Sequence, residues 1–239
     1  MTTSLYLSRA RLRSTRGEAL SAIAPILFPD DQNARAGHAH RLVWLLFQDI
    51  PDSQRDFLWR DEGNGKYLIL SHRAPADPHH LFELDTKPFA PALEVGDRLR
   101  FLLRANPVVA RKGALDAGDK AKRARGKRVD IVMDALHDLP KEERATARDR
   151  LTVEAGQRWL TQQGARAGFA PTKVTVDSCS RIDISDTSRQ KRRDRAGISV
   201  MELAGELEIT DPIAFLLKLA QGFGSAKAFG NGLMLIRRA

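Results

Sequence analysis

Short apolar runs and helical stretches follow one another along this 239-residue chain in an order that occurs nearly twice. The first round has a strand at 4–12, helical spacing at 18–28 and 38–47, and strands at 55–60 and 66–71. A short edge strand at 81–84 follows. Leu42, Leu45 and Leu46 mark the inner face of the second helical stretch. Asp61-Glu62-Gly63-Asn64-Gly65 between the paired strands is a hairpin turn, because Asn-Gly tolerates the positive φ that a tight turn needs. Residues 87–93, with two prolines and small side chains, read as a linker.

The second round begins with a strand at 98–105. A helix at 141–163 follows, with Val153, Trp159 and Leu160 as its inner face, then strands at 173–177 and 199–207. Thr210-Asp211-Pro212 starts another helix, Thr210 serving as N-cap and Pro212 lying in the first turn. That helix runs through Phe215, Leu216 and Leu219 to Gln221, and a strand at 232–236 ends the round. Strand, helix, strand, strand, helix, strand is the order of a ferredoxin-like unit. The expected architecture is therefore α+β, with two tandem ferredoxin-like (RRM-like) domains at 1–88 and 94–239. No internal sequence repeat accompanies the repeated order.

Charge narrows the partners. The net charge is +9, with hydrophobic residues at 42%, enough for real cores. A surface so basic favours polyanions, since each cation set on a phosphate releases counterions. No basic amphipathic helix with an aromatic face argues for a membrane surface, and no apolar run approaches the length of a membrane span. Residues 1–13 lack the apolar core of a signal peptide, so a cytoplasmic protein is expected. The single cysteine, Cys179, can form neither an internal disulfide nor a Cys-x-x-Cys metal site. His38-Ala39-His40 is no metal pair either, because residues two apart on a helix face different ways. His79-His80 has no companion cluster. No metal and no cofactor are expected.

Three segments and one histidine carry the candidate chemistry. A basic insertion at 110–128 holds Arg111, Lys112, Lys120, Lys122, Arg123, Arg125, Lys127 and Arg128, where a ferredoxin-like fold needs only a short connection. It is either a phosphate-binding arm or a solvated loop. Arg189-Gln190-Lys191-Arg192-Arg193-Asp194-Arg195, between two strands, offers the same pair of readings. The third segment, Gly222-Phe223-Gly224-Ser225-Ala226-Lys227-Ala228-Phe229-Gly230-Asn231-Gly232-Leu233, places four glycines in eleven residues. Glycine lets a backbone approach a polyanion closely, which points to Gly224, Gly230 and the intervening Lys227. It follows a helix and lacks Gly-Lys-Ser/Thr, so it is no P-loop. A histidine at a helix start, such as His40, can be a general acid or base near neutral pH, or simply a packed or capping side chain.

The glycine segment resembles the C-terminal motif of the CasE family of CRISPR-associated repeat endoribonucleases. Leu103-Arg104-Ala105-Asn106-Pro107, Leu5-Tyr6-Leu7-Ser8, Lys127-Arg128, the stretch from Phe169 onward and Glu202-Leu203-Ala204-Gly205 are similar to the family in the same order. The resemblance covers nearly the whole chain. It implies two ferredoxin-like domains, binding of the CRISPR repeat RNA hairpin, metal-independent cleavage of precursor crRNA at the hairpin base, and retention in the complex called Cascade with its other subunits. It also implies that the insertion and the glycine loop hold the hairpin. His40-Arg41-Leu42-Val43-Trp44-Leu45-Leu46-Phe47 matches the family's catalytic region, which makes His40 the catalytic residue and Arg41 an RNA-binding neighbour. Some relatives carry a tyrosine three residues before this histidine. Gly37 stands there in this chain, so a second catalytic group is unassigned, with Tyr6, Lys227 and Arg41 as candidates. A non-catalytic hairpin-binding subunit and a scaffolding subunit of a ribonucleoprotein are the competing expectations.

Overall fold

The computed structural model describes residues 5–13, 32–48, 55–111, 127–183 and 197–239. Strand β1 (Tyr6–Leu12) leads to helix α1 (Gln32–Trp44), which tightens into a 3-10 turn at Leu45–Phe47. Strands β2 (Phe57–Gly63), β3 (Lys66–Ser71) and β4 (Phe82–Pro88) complete a four-stranded antiparallel sheet in the order β2-β3-β1-β4. The expected hairpin turn is there, with Asn64 and Gly65 both at positive φ. Strand β4 runs through Lys87 and Pro88, so the sheet takes in the start of the segment read as a linker. No helix covers the β3–β4 connection. It is an irregular loop in which the Asp77 carboxylate accepts from the backbone N–H groups of Leu81 and Phe82, at 3.1 and 2.6 Å.

The second half starts with β5 (Arg98–Ala105). A two-stranded ribbon, β6 (Val108–Arg111) with β7 (Lys127–Asp130), precedes helices α2 (Ile131–Leu136) and α3 (Arg144–Ala167). Then come β8 (Phe169–Asp183), β9 (Gly197–Ile209), helix α4 (Pro212–Gln221) and β10 (Met234–Arg238). The sheet order β10-β5-β9-β8 is that of a ferredoxin-like unit, with all neighbours antiparallel.

Alternation explains where the cores sit. Leu99, Phe101, Leu103 and Ala105 of β5 are buried, and the residues between them point outward. The buried set packs with Leu203 and Leu207 of β9, Trp159 and Leu160 of α3, and Phe215 and Leu219 of α4. Burial of side chains this large stabilises by roughly 1.5–3 kcal/mol each. Val153, expected inside, is exposed, because Ala155, Gly156, Trp159 and Leu160 form the stripe that faces the sheet. The N-cap of α4 is Asp211 rather than Thr210. Its carboxylate accepts from the N–H groups of Ile213 and Ala214, both at 3.0 Å, whereas Thr210 is still in the preceding bend. The expected helix at 18–28 and the cationic segment at 189–195 lie outside the described residues.

Strand β2 joins the halves. Phe57 and Trp59 enter the first core beside Val43, Leu46 and Ile69, while Leu58 enters the second. Arg60, on the same side of β2 as Leu58, donates to Glu202 of β9 at 3.0 Å. Arg104 of β5 donates to the other oxygen of that carboxylate at 3.1 Å. One carboxylate thus compensates two partly buried guanidinium groups from different sheets. Glu202→Gln is expected to lower stability by about 1–3 kcal/mol, at the low end if solvent screens the stranded cations. Urea unfolding at low and high salt measures it, and an unchanged midpoint would remove this contact from the account of how the halves are held.

Candidate nucleic-acid and cleavage site

Helix α1 presents Ala39, Leu42, Val43, Leu46 and Phe47 to the first sheet. The face is offset from the Leu42, Leu45, Leu46 pattern because the last turn winds more tightly, which leaves Leu45 only partly buried. His40 stands at the border of this face and Arg41 is exposed beyond it. The His40 ring stacks on Trp44 one turn later, with centroids 6.0 Å apart. On its other side lies Phe229, at 6.3 Å, in a 3-10 turn at Lys227–Phe229 inside the glycine-rich segment. The two motifs most distant in sequence therefore meet at His40.

The glycine segment is a tightly tied loop. The Asn106 carbonyl accepts from the Ser225 N–H at 2.9 Å, and the Arg104 carbonyl accepts from the Gly232 N–H at 2.7 Å. Asn106 is itself buried and donates its side-chain amide to the Ser199 carbonyl at 2.6 Å. The Leu-Arg-Ala-Asn-Pro stretch is thus the mooring of the loop. Within the loop, the buried Asn231 amide donates to the carbonyls of Ala226 and Phe229, at 3.2 and 3.1 Å. Gly224 and Gly230 both have positive φ, and their missing side chains leave room for protein. A Cβ at Gly224 would stand 2.6 Å from the Asn106 carbonyl oxygen, and one at Gly230 would stand 3.2 Å from the Trp59 ring. Any approach of a ligand at these glycines is to the loop backbone.

Among the described residues, the charges acting on His40 are those of Arg55 and Arg41. Burial is the main force lowering its pKa below the usual 6.5, followed by the charge of Arg55, while the Ala228 backbone works in the opposite direction and Arg41 adds slightly to the lowering. Its Nδ1 is sealed from solvent. Lys227 is likewise pushed below the ordinary lysine value, first by burial and then by Lys218 and Arg55. Its ammonium donates to the Gln221 carbonyl at 2.5 Å, where it closes the C-terminal end of α4. Lys218 lies over the Phe223 ring at 5.3 Å. Burial and the two arginine charges thus favour the neutral form of the His40 ring.

Of the expected RNA-binding residues, the structure brings Lys227, Gly230 and Arg41 to the neighbourhood of His40, and Gly224 anchors the same loop. Arg111 and Arg128 belong instead to the β6–β7 ribbon, where Arg128 is exposed and faces Ala110 across the pair. The guanidinium of Arg111 is ion-paired with Asp134 of α2, which fixes the base of the ribbon. Lys127 belongs to β7. Lys112, Lys120, Lys122, Arg123 and Arg125 lie outside the described residues. Tyr6 sits in β1 between Ser71 and Pro88. Sequence reasoning took Arg55 only as the first residue of a strand at 55–60, which in the structure begins at Phe57, and gave it no functional role.

A family model described as CRISPR associated protein matches residues 5–238. The chain belongs to this family of CRISPR-associated proteins. Among curated relatives, this CRISPR-associated chain is 32% identical over 154 residues to the CRISPR-associated endoribonuclease Cse3 of Thermus thermophilus, covering 63% of this chain and 60% of the relative's length. It is 27% identical over 203 residues to the CRISPR system Cascade subunit CasE of Escherichia coli, covering 82% of this chain and 88% of the relative. Its fold is similar to that of Thermus thermophilus Cse3 bound to an RNA representing a pre-cleavage complex, with a TM-score of 0.63 at 22% identity over 98% of this chain and 99% of the other. It is also similar to the CRISPR-associated protein Cas6e of Escherichia coli, with a TM-score of 0.59 at 22% identity over 98% of this chain and all of the other. The resemblance to the CasE family and the two tandem ferredoxin-like sheets are borne out. Among the described residues, no helix of this CRISPR-associated protein is long and apolar enough to cross a membrane.

Proposed function

We propose that this protein binds the stem-loop of CRISPR repeat RNA and cuts precursor crRNA as a metal-independent endoribonuclease, with His40 as its general base. The observation that carries the reading is the meeting of His40 with the glycine loop, in a setting where, among the described residues, the charges acting on the ring are those of two arginines. The names of the two curated relatives, an endoribonuclease and a Cascade subunit, support it. The N-terminal unit, 1–88, supplies the histidine, and the C-terminal unit, 94–239, supplies the loop and the basic ribbon.

The exposed Arg128, with Arg111, Lys112, Lys120, Lys122, Arg123, Arg125 and Lys127, would grip stem phosphates, because the deep groove of A-form RNA excludes side-chain readout of the bases. The strand beside the stem would cross the His40 pocket. There the ribose 2′-oxygen attacks the adjacent phosphorus in line while neutral His40 takes the hydroxyl proton. The bond from phosphorus to the 5′-oxygen breaks, that oxygen gains a proton, and the products are a 2′,3′-cyclic phosphate and a 5′-hydroxyl. The nucleophile belongs to the substrate, so the scheme needs no metal-bound water. The product would stay bound in a cytoplasmic Cascade assembly.

The test is incubation with a repeat hairpin in excess EDTA, beside an unstructured RNA of equal length. Cutting of the hairpin at one position is expected. Tight binding without cutting would favour the non-catalytic hairpin-binding subunit, and equal binding of both RNAs would favour a scaffold. The pH dependence has a definite sign. A base must be neutral, and the His40 pKa lies below 6.5. The logarithm of kcat/KM should therefore rise with pH through a midpoint below 6.5 and be level at pH 7, since this ratio reports the free enzyme. A rate that falls as pH rises from about 5 to 7 would make His40 an acid instead.

A further inference from the structure

We infer that Arg55 is the second catalytic group, a guanidinium that grips the scissile phosphate beside His40 and stabilises the phosphorane. This rests on the cleavage reading above. The candidates left open by the sequence are occupied elsewhere or badly placed. Lys227 has its ammonium on the Gln221 carbonyl, Arg41 is exposed, and the rings that meet His40 among the described residues are Trp44 and Phe229, not Tyr6.

Arg55 differs from all three. It sits just before β2, on backbone that is held from several sides. The neighbouring Asp56 carboxylate binds Arg73 at 2.8 Å, and the Asp56 carbonyl accepts from the His72 N–H at 3.2 Å. Arg73 in turn donates to the Phe47 carbonyl at the end of α1, at 2.8 Å. Two residues on, the Phe57 ring stacks on Phe47 at 4.2 Å and meets Trp44 at 5.0 Å. Trp44 is the residue on which His40 stacks. Arg55 is thus tied by one rigid set of contacts to the helix turn that carries the histidine.

Its charge acts on both His40 and Lys227, so it lies within electrostatic reach of the imidazole and of the glycine loop. The side chain is only partly exposed, and among the described residues it has no ion pair with a carboxylate. A guanidinium half removed from water without a counter-ion is unfavourable until an anion arrives. Its planar fork of donors fits two non-bridging phosphate oxygens, and charge on those oxygens grows as the 2′-oxygen adds. Among the described residues, the charges acting on His40 are Arg55, from the approach to β2, and more weakly the exposed Arg41 of its own helix, while Lys218 and Arg55 act on Lys227.

The experiment compares wild type, Arg55→Gln and Arg55→Lys in single-turnover cleavage of a repeat hairpin across pH, with hairpin affinity and the NMR titration of His40 in the free proteins. Arg55→Gln is expected to cut roughly 10²–10³-fold more slowly, as for loss of one oxyanion donor. Hairpin affinity should change only a few-fold, because stem phosphates dominate binding. The His40 titration midpoint should move up, since a repelling charge is gone, and the acid limb of the rate profile should move with it. Arg55→Lys should keep the wild-type midpoint and recover part of the rate, which a packing role would not produce. Wild-type cutting together with an unchanged rate and titration in Arg55→Gln would overturn this assignment alone. A wild-type protein that binds the hairpin and never cuts it would overturn the cleavage reading and this one with it.

Discussion

His40→Ala is expected to slow cleavage of a repeat hairpin by about 10²–10⁴-fold, the usual contribution of a positioned acid or base. Affinity for the hairpin should stay within a few-fold of wild type. The two effects separate because His40 touches little besides two aromatic rings and the Ala228 backbone, and it is only partly buried. Removing it leaves Trp44 packed on Phe57 and leaves the glycine loop tied to Arg104 and Asn106. Added imidazole should restore some activity in the vacated space. Loss of binding in parallel with cleavage would instead assign His40 to holding the RNA.

Gly224→Ala is expected to be the most damaging single-methyl change in the loop. The residue has φ +71°, and the new Cβ would lie 2.6 Å from the backbone oxygen of Asn106. Left-handed backbone costs an ordinary residue about 1–2 kcal/mol, and overpacking adds about 1–3 kcal/mol. The sum, roughly 2–5 kcal/mol, corresponds to a fall in Tm of about 4–20 °C for a chain of this size. Relief would come by breaking the Ser225 bond to Asn106, which moves Lys227 and Phe229 away from His40. Cleavage should therefore fall even at temperatures where the variant is fully folded. A variant that melts like wild type and cuts like wild type would show that the loop can shift without cost, contrary to the close contact at Asn106.

The sheets were legible because alternation is local. Arg98 to Ala105 alternates outward and inward without a break, and the strand has those bounds in the structure. Helix α4 was legible for the same reason, with Pro212 at its start and glycine after Gln221. Elements that depend on tertiary contacts were read less well. Strand β8 extends well beyond the five residues at 173–177 because β9 pairs with it along its whole length, past two register shifts. Val153 looked apolar enough to be inside, yet the helix turns a stripe with small residues, Ala155 and Gly156, toward the sheet. The site was legible only as far as motifs reach. His40 and Lys227 stood out, but nothing in the spacing shows that residues 187 apart in the chain share one pocket. Arg55 was read only as the start of a strand, with no motif to single it out. Its interest comes from the fold, which brings it within electrostatic reach of both.

One measurement bears most directly on the proposed chemistry: single-turnover incubation in EDTA of wild type with a repeat hairpin carrying a single 2′-deoxynucleotide on the 5′ side of the cut, beside the all-ribose hairpin. The internal-nucleophile scheme predicts equal binding of the two, cutting of the ribose hairpin to a 2′,3′-cyclic phosphate and a 5′-hydroxyl, and no cutting of the deoxy hairpin. Cutting of the deoxy hairpin at the same position would mean that water is the nucleophile, and His40 would lose the role given to it here.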